Sequence, residues 1–138
     1  MVENLIYKVH QPERKDVMLT PKEIAYEVTK ALDAKKGINI KLLKIDKVST
    51  LADYFLICTG TSNTHVRTLC DYAEVTLQDL GEPMLGREGH RGNSWELLDF
   101  GTIVVHVFTE EAREFYSLER LWADAEVIPL TEIIPELM

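Results

Sequence analysis

The sequence has little of what small metalloproteins, secreted domains and membrane proteins are built from. It holds only two cysteines in 138 residues, Cys58 and Cys70, twelve positions apart. Two are too few for a disulfide scaffold or a four-ligand zinc site. No apolar run approaches the roughly 20 residues needed to cross a bilayer. The opening stretch, MVENLIYKVHQPERKD, has no signal-peptide core and carries acids that a transit peptide lacks. The expectation is a soluble, cytoplasmic protein without a membrane partner. The four histidines, His10, His65, His90 and His106, show neither H-x-x-x-H nor H-E-x-x-H spacing, and no G-x-S-x-G or Cys/His nucleophile arrangement occurs. No catalytic residue, metal or cofactor is expected.

Basic charge is also scarce. Fifteen Lys and Arg face 23 Asp and Glu, a net charge of -8. The imbalance grows along the chain: residues 1–47 carry +3, residues 48–108 carry -5 and residues 109–138 carry -6. Nucleic-acid binders cluster cations, because neutralising phosphates supplies most of their affinity. Sequence-specific nucleic acid is therefore not expected as a partner, whereas a basic protein surface suits this charge.

What is present reads as one domain of alternating helix and strand patterns, without internal repeats or low-complexity tracts. Thr20-Pro21-Lys22-Glu23 is a capping box with proline at the first helical position, and the helix it opens stops near Gly37. Residues 40–45 read as a short strand. Residues 54–58, YFLIC, are apolar throughout, as in a central strand covered on both faces. Ser62 caps a second helix that Gly81 closes. A weak edge strand near 83–88 leads to a glycine-rich turn over Gly89–Asn93, then to strands over 94–99 and 102–108. Thr109 caps a third helix, with Glu110 and Glu111 at the positive end of its dipole. The sum is an α/β protein, a mixed β-sheet flanked by helices.

One turn invites an enzymatic reading. Cys58-Thr59-Gly60-Thr61-Ser62 places a glycine turn between a buried strand and a helix N-terminus, where free backbone N–H groups can hold a phosphate. Nucleotidyl transfer also needs two carboxylates two apart on a neighbouring strand, so that both face one way and hold metal ions. The one such pair, Asp124 and Glu126, lies beyond the last helix; Glu96 and Asp99 are three apart and face opposite sides of their strand. Ser62 is better read as a helix cap. A nucleotide-binding or nucleotidyltransferase-like enzyme is the alternative reading of the chain. His106, in an apolar strand, reads as a hydrogen-bonded core histidine, and the two cysteines as small core hydrophobes.

The notable concentration is aromatic. Residues 95–122 hold six of the eleven aromatics, Trp95, Phe100, Phe108, Phe115, Tyr116 and Trp122, interleaved with Glu96, Asp99, Glu110, Glu111, Glu114 and Glu119. Continuous helical spacing puts Phe115, Leu118 and Trp122 on one buried stripe, with Tyr116 about 100° away on the surface. Phe100 sits at a hairpin turn, where a large ring is hard to bury. Aromatics set among acids fit the anchors and rim of a protein interface.

These residues also carry a resemblance. The run from Leu51 to Ser62 (LADYFLICTGTS) resembles the first signature block of the ribosomal silencing factor, or Iojap, family. Glu88-Gly89, the run Trp95–Gly101 (WELLDFG) and the run Val104–Phe108 (VVHVF) resemble the second. The run Glu110–Trp122 (EEAREFYSLERLW), with Asp124-Ala125, resembles the third. Thr102 departs from the acidic or amide residue usual after the hairpin glycine. The resemblance implies a domain over residues 20–125, with an N-terminal extension 1–19 and a C-terminal tail 126–138. It implies a nucleotidyltransferase-like fold without catalytic carboxylates. It further implies a translational repressor that binds the large ribosomal subunit through ribosomal protein fourteen and sterically blocks joining of the small subunit when nutrients are short. Organellar relatives are tied to large-subunit assembly. The contact surface it implies comprises Trp95, Asp99, Phe100, Phe108, Tyr116, Leu121 and Trp122, although the helical stripe buries Trp122. In the tail VIPLTEIIPELM the prolines argue against a helix; its apolar residues argue that it packs on something, a second copy (a homodimer of the free protein) being one candidate.

Overall fold

The computed structural model describes residues 19–137 apart from Arg91 and Asn93. Residues 1–18 of the expected extension lie outside the described residues, as does part of the Gly89–Asn93 turn. The chain runs α1 (Pro21–Ala34), β1 (Ile38–Lys44), β2 (Tyr54–Gly60), α2 (Asn63–Asp79), β3 (Gly86–His90), β4 (Trp95–Asp99), β5 (Ile103–Thr109), α3 (Glu110–Tyr116), α4 (Leu118–Leu121), β6 (Glu126–Ile128), α5 (Leu130–Ile133) and a final 3-10 turn over Pro135–Leu137. The fold is α/β, a mixed six-stranded sheet ordered β3-β4-β5-β2-β1-β6. Among the described residues only β2 and β5 pair in parallel; β1 with β2, β1 with β6, β3 with β4 and β4 with β5 are antiparallel.

Local chemistry sets the helix starts. The Thr20 hydroxyl accepts from the Glu23 amide while the Glu23 carboxylate accepts from the Thr20 amide, so two otherwise orphaned donors are satisfied. Ser62 and Thr109 cap α2 and α3 with the hydroxyl alone, accepting from the His65 and Ala112 amides. Gly60 is required by close approach: a Cβ there would sit 2.9 Å from the Val66 amide nitrogen, where α2 crosses the end of β2. Central position explains the apolar run over 54–60, every residue of which is buried.

The two sheet faces differ in how they are covered. On one, α1 and α2 enclose a core of Val28, Leu32, Leu42, Leu56, Leu69, Leu77, Leu98, Val105 and Val107, with Ile133 of α5 added at the edge. On the other, Leu43, Ile45, Phe55, Ile57, Val104 and Phe108 pack with Ala52, Ala112 and Leu118 and with the half-buried Trp95, Leu97, Tyr116, Trp122 and Ala125. We call these the helix face and the open face. At the outer edge, Arg87 of β3 is bound by Asp71 and Glu74 of α2 and by the buried Glu96 of β4, at 2.7–2.9 Å. No described helix is long and apolar enough to cross a membrane.

Four expectations need correction. The edge strand starts at Gly86 and reaches His90, later than 83–88, because Gly89 and His90 still pair with Glu96 and Trp95. Phe100 is only 3% exposed. The tight turn, in which Gly101 takes φ +78° and donates to the Asp99 carboxylate, lets the ring fold under the helix-face core. The tail does contain a helical turn, α5, begun after Pro129, and it packs on this same chain: β6 pairs with β1, and Ile128 and Ile133 are buried. The third helix is not continuous. It ends at Tyr116, and Ser117 adopts a left-handed conformation at φ 48° before α4 begins.

Candidate functional site: an aromatic strip on the open face

A stripe continued through Phe115, Leu118 and Trp122 would bury Phe115, but α3 buries the face of Ala112 and ends at Tyr116, and Phe115 is 72% and Leu121 74% exposed. Leu118 is buried as expected, while Trp122 is half-buried rather than enclosed. Tyr116, expected to project outward, packs instead on Trp95 at a ring separation of 4.6 Å. Phe115 stands edge-on against Tyr116 at 5.0 Å.

Below them the sheet supplies a continuous strip. Trp95 stacks on its cross-strand partner Phe108, with ring centres 5.0 Å apart and planes 23° apart. His106 lies beside them at 6.1 Å from the Trp95 ring and 4.8 Å from Phe55. Trp122 closes the strip edge-on against Phe55 at 5.1 Å. Alternation along the strands produces this array: Trp95 on β4 and His106 and Phe108 on β5 all face the open side. Burial pushes the His106 imidazole down to about 4, so the ring is neutral near pH 7. Its Nδ1 accepts from the Trp95 indole N–H at 3.3 Å, while the buried Nε2 meets no partner among the described residues. The expected core histidine is therefore hydrogen-bonded at one nitrogen only.

An ion-paired brace holds the break in place. Arg113 of α3 donates to Glu119 of α4 at 2.9 Å, to the Thr59 hydroxyl of β2 at 2.9 Å and to the Asn39 carbonyl of β1 at 2.6 Å. Burial alone would raise the Glu119 carboxyl, but the Arg113 bonds and charge, with Lys41, hold it below the usual carboxylate range. An open cleft of about 400 Å³ runs past this brace, and Glu110, Glu114 and Glu119 outnumber Arg113 and Arg120 along it. Such walls do not suit an anion. Glu110, Glu111 and Glu114 are exposed on α3, the helix that carries Phe115 and Tyr116, and make that helix acidic.

The residues singled out from sequence divide into three groups. Trp95, Phe108, Tyr116 and Trp122 meet in the strip, and Leu121 stands exposed on adjoining α4. Asp99 faces the same side but lies at the opposite end of β4, about 13 Å from Trp95 at the strand rise per residue. Phe100 lies in the core of the other face. Sequence reasoning missed Phe55, which the apolar run concealed, and Phe115, which the assumed stripe through Leu118 and Trp122 hid. It also missed Arg113, whose partners Asn39 and Thr59 are 74 and 54 positions away.

The Gly60–Ser62 turn is already occupied by protein groups. The Thr61 amide donates to His65 Nδ1 at 2.8 Å, and the Ser62 hydroxyl accepts from the His65 amide at 3.1 Å. His65 Nε2 in turn reaches the Lys35 carbonyl at 3.0 Å. Donors that a phosphate would need are thereby engaged. Cys58 and Cys70 are buried, and burial raises both thiols, Cys58 to about 12. Neither is a ready nucleophile.

A family described as "Ribosomal silencing factor during starvation" matches residues 19–137. The ribosomal silencing factor RsfS of Halalkalibacterium halodurans is 34% identical over 116 residues, 84% of this chain and 99% of the relative. The chloroplastic protein Iojap of Zea mays is 32% identical, over 77% of this chain and 46% of the relative. The "Mitochondrial assembly of ribosomal large subunit protein 1" of Mus musculus is 32% identical over 61% of this chain and 38% of its own length. A crystal structure of a Chromobacterium violaceum protein superposes with a TM-score of 0.73 at 34% identity, covering 76% of this chain and 88% of that one. The chain belongs to the ribosomal silencing factor family.

Proposed function

We propose that this protein represses translation by seating its open face on the large ribosomal subunit, through the basic ribosomal protein fourteen, and sterically preventing the small subunit from joining. The observation that carries the reading is the aromatic strip, with Phe115 and Leu121 projecting from it at 72 and 74% exposure and the acidic helix α3 beside it. Rings of this kind supply anchoring area, and carboxylates beside them match a basic partner while repelling bare RNA. The names of the bacterial relatives and of the mouse relative support the silencing role and the large-subunit partner respectively. Trp95, Tyr116, Leu121 and Trp122 would touch the partner; Phe108 would act from below by supporting Trp95; Asp99 would extend the contact along β4; Phe100 would serve by shaping the hairpin.

Co-sedimentation with isolated large subunits, small subunits and naked ribosomal RNA tests the reading. The protein should pellet with large subunits alone and reduce joining when added before the small subunit. Phe115→Ala and Leu121→Ala should weaken pelleting, whereas Val75→Ala, which alters an exposed residue of α2 on the helix face, should not. Equal retention on naked RNA, or unchanged pelleting of both strip variants, would overturn it.

A further inference from the structure

We infer that His106 is a positioning residue for the docking surface: its Nδ1 fixes the in-plane orientation of the Trp95 indole, and so the edge that Trp95 presents to a partner. This rests on the open face being the contact surface.

The argument starts from what a histidine at this point costs. His106 is 3% exposed on β5 between Val104 and Phe108, both apolar on the same face. An indole N–H only donates, so the Nδ1 that receives it carries a lone pair and the neutral ring bears its hydrogen on Nε2. That Nε2–H is buried without a partner among the described residues. A leucine or phenylalanine would fill the same place and bury no orphan donor. What an apolar residue cannot supply is the acceptor at Nδ1.

The geometry shows what the acceptor adds. Trp95 is half-buried and lies diagonally across from His106, which pairs with Leu97. Stacking on Phe108 sets the plane of the indole, and the tilted contact with Tyr116 confines it further. Neither contact distinguishes one edge of the indole from the other, because stacking is only weakly directional within the ring plane. The bond from Nε1 to His106 turns that edge inward and leaves the opposite edge facing away. An interface anchor gains affinity when its orientation is set before binding, since less freedom is then lost on association.

The test uses the full chain with His106→Leu and His106→Asn, the latter placing an amide oxygen near the position of Nδ1. Three readouts are taken: melting temperature, the indole ¹⁵N–¹H resonance of Trp95 in the free protein (assigned with Trp122→Phe), and co-sedimentation with large subunits. His106→Leu should melt at or above the parent, shift and broaden the Trp95 resonance, and bind at least tenfold more weakly. His106→Asn should restore the resonance and the binding. In a Trp95→Phe background His106→Leu should change binding by less than twofold, because the effect passes through the indole. Tight binding by a folded His106→Leu, or an equal loss in both backgrounds, overturns the inference. If His106→Leu does not fold, His106→Asn decides: parental melting with lost binding overturns, parental binding with a parental resonance supports. A parent that fails to bind large subunits refutes the proposed function instead, and the resonance of the free protein still reads the orientation.

Discussion

Phe115 and Tyr116 are adjacent, yet the structure gives them opposite duties. Phe115 is largely exposed and stands edge-on to the Tyr116 ring, whereas Tyr116 is wedged against Trp95 and Phe108. Phe115→Ala should therefore change folding stability by no more than about 0.5 kcal/mol, as surface changes do. It should cost roughly 2 kcal/mol of binding to large subunits if the ring is an anchor. Tyr116→Ala should destabilise the fold by roughly 2 kcal/mol, because it removes a packed aromatic from a half-buried cluster. Thermal melts beside co-sedimentation separate the two effects; a large stability loss in Phe115→Ala would mean that its ring is enclosed.

Two connections between elements carry more than their length suggests. Ser117 holds the left-handed conformation that ends α3 and redirects α4. Ser117→Val should cost about 1–2 kcal/mol, since a β-branched residue is strained there, while Ser117→Gly should be neutral or stabilising. Urea midpoints of the two variants check this, and equal midpoints would contradict it. At the sheet edge, Arg87 ties β3 to α2 and compensates the buried Glu96 carboxylate, whose side chain is 4% exposed. Arg87→Met should cost about 3–5 kcal/mol by removing the cation that balances that buried charge. The double change Arg87→Met with Glu96→Gln should recover part of the loss in chemical denaturation, which a purely steric role for Arg87 would not permit.

For the whole molecule, acid stability should carry the mark of His106. Its folded-state value near 4 lies below the ordinary 6.5. Between those two pH values the unfolded chain binds a proton that the folded chain refuses. Stability from this group is thus complete above pH 6.5 and is lost as pH falls through that window, by about 2 kcal/mol at pH 5. Denaturation at pH 7, 6 and 5 should show the parent losing more than His106→Leu by that amount; parallel losses would mean that His106 titrates normally in the fold. The molecule's charge acts at the same scale. The exposed carboxylates of α3 set negative potential beside the apolar strip, which favours a basic docking surface and disfavours RNA.

Much of this protein was legible from local chemistry. Thr20, Ser62 and Thr109 mark three helix starts because a hydroxyl that satisfies a nearby amide is a property of a few consecutive residues. The alternation of Glu96 against Asp99 and the unbroken apolar run of β2 likewise declare which sides are covered. The family resemblance, carried by residues 51–62 and 88–125, lay in the sequence as well. Which rings of the aromatic strip stand exposed did not. Ser117 is an ordinary helix surface residue until Arg113 reaches Glu119, Thr59 and Asn39 and holds the chain in its turn. That brace joins groups far apart in sequence, so no periodicity announces it; Phe115 turns outward and Tyr116 inward because α3 buries the face of Ala112, four residues before Tyr116. Phe100 was buried and the tail's β6 seated by the same kind of long-range fit, against surfaces that exist only once the sheet has formed. Local bonding determined where elements begin; packing between distant elements decided which rings remained exposed.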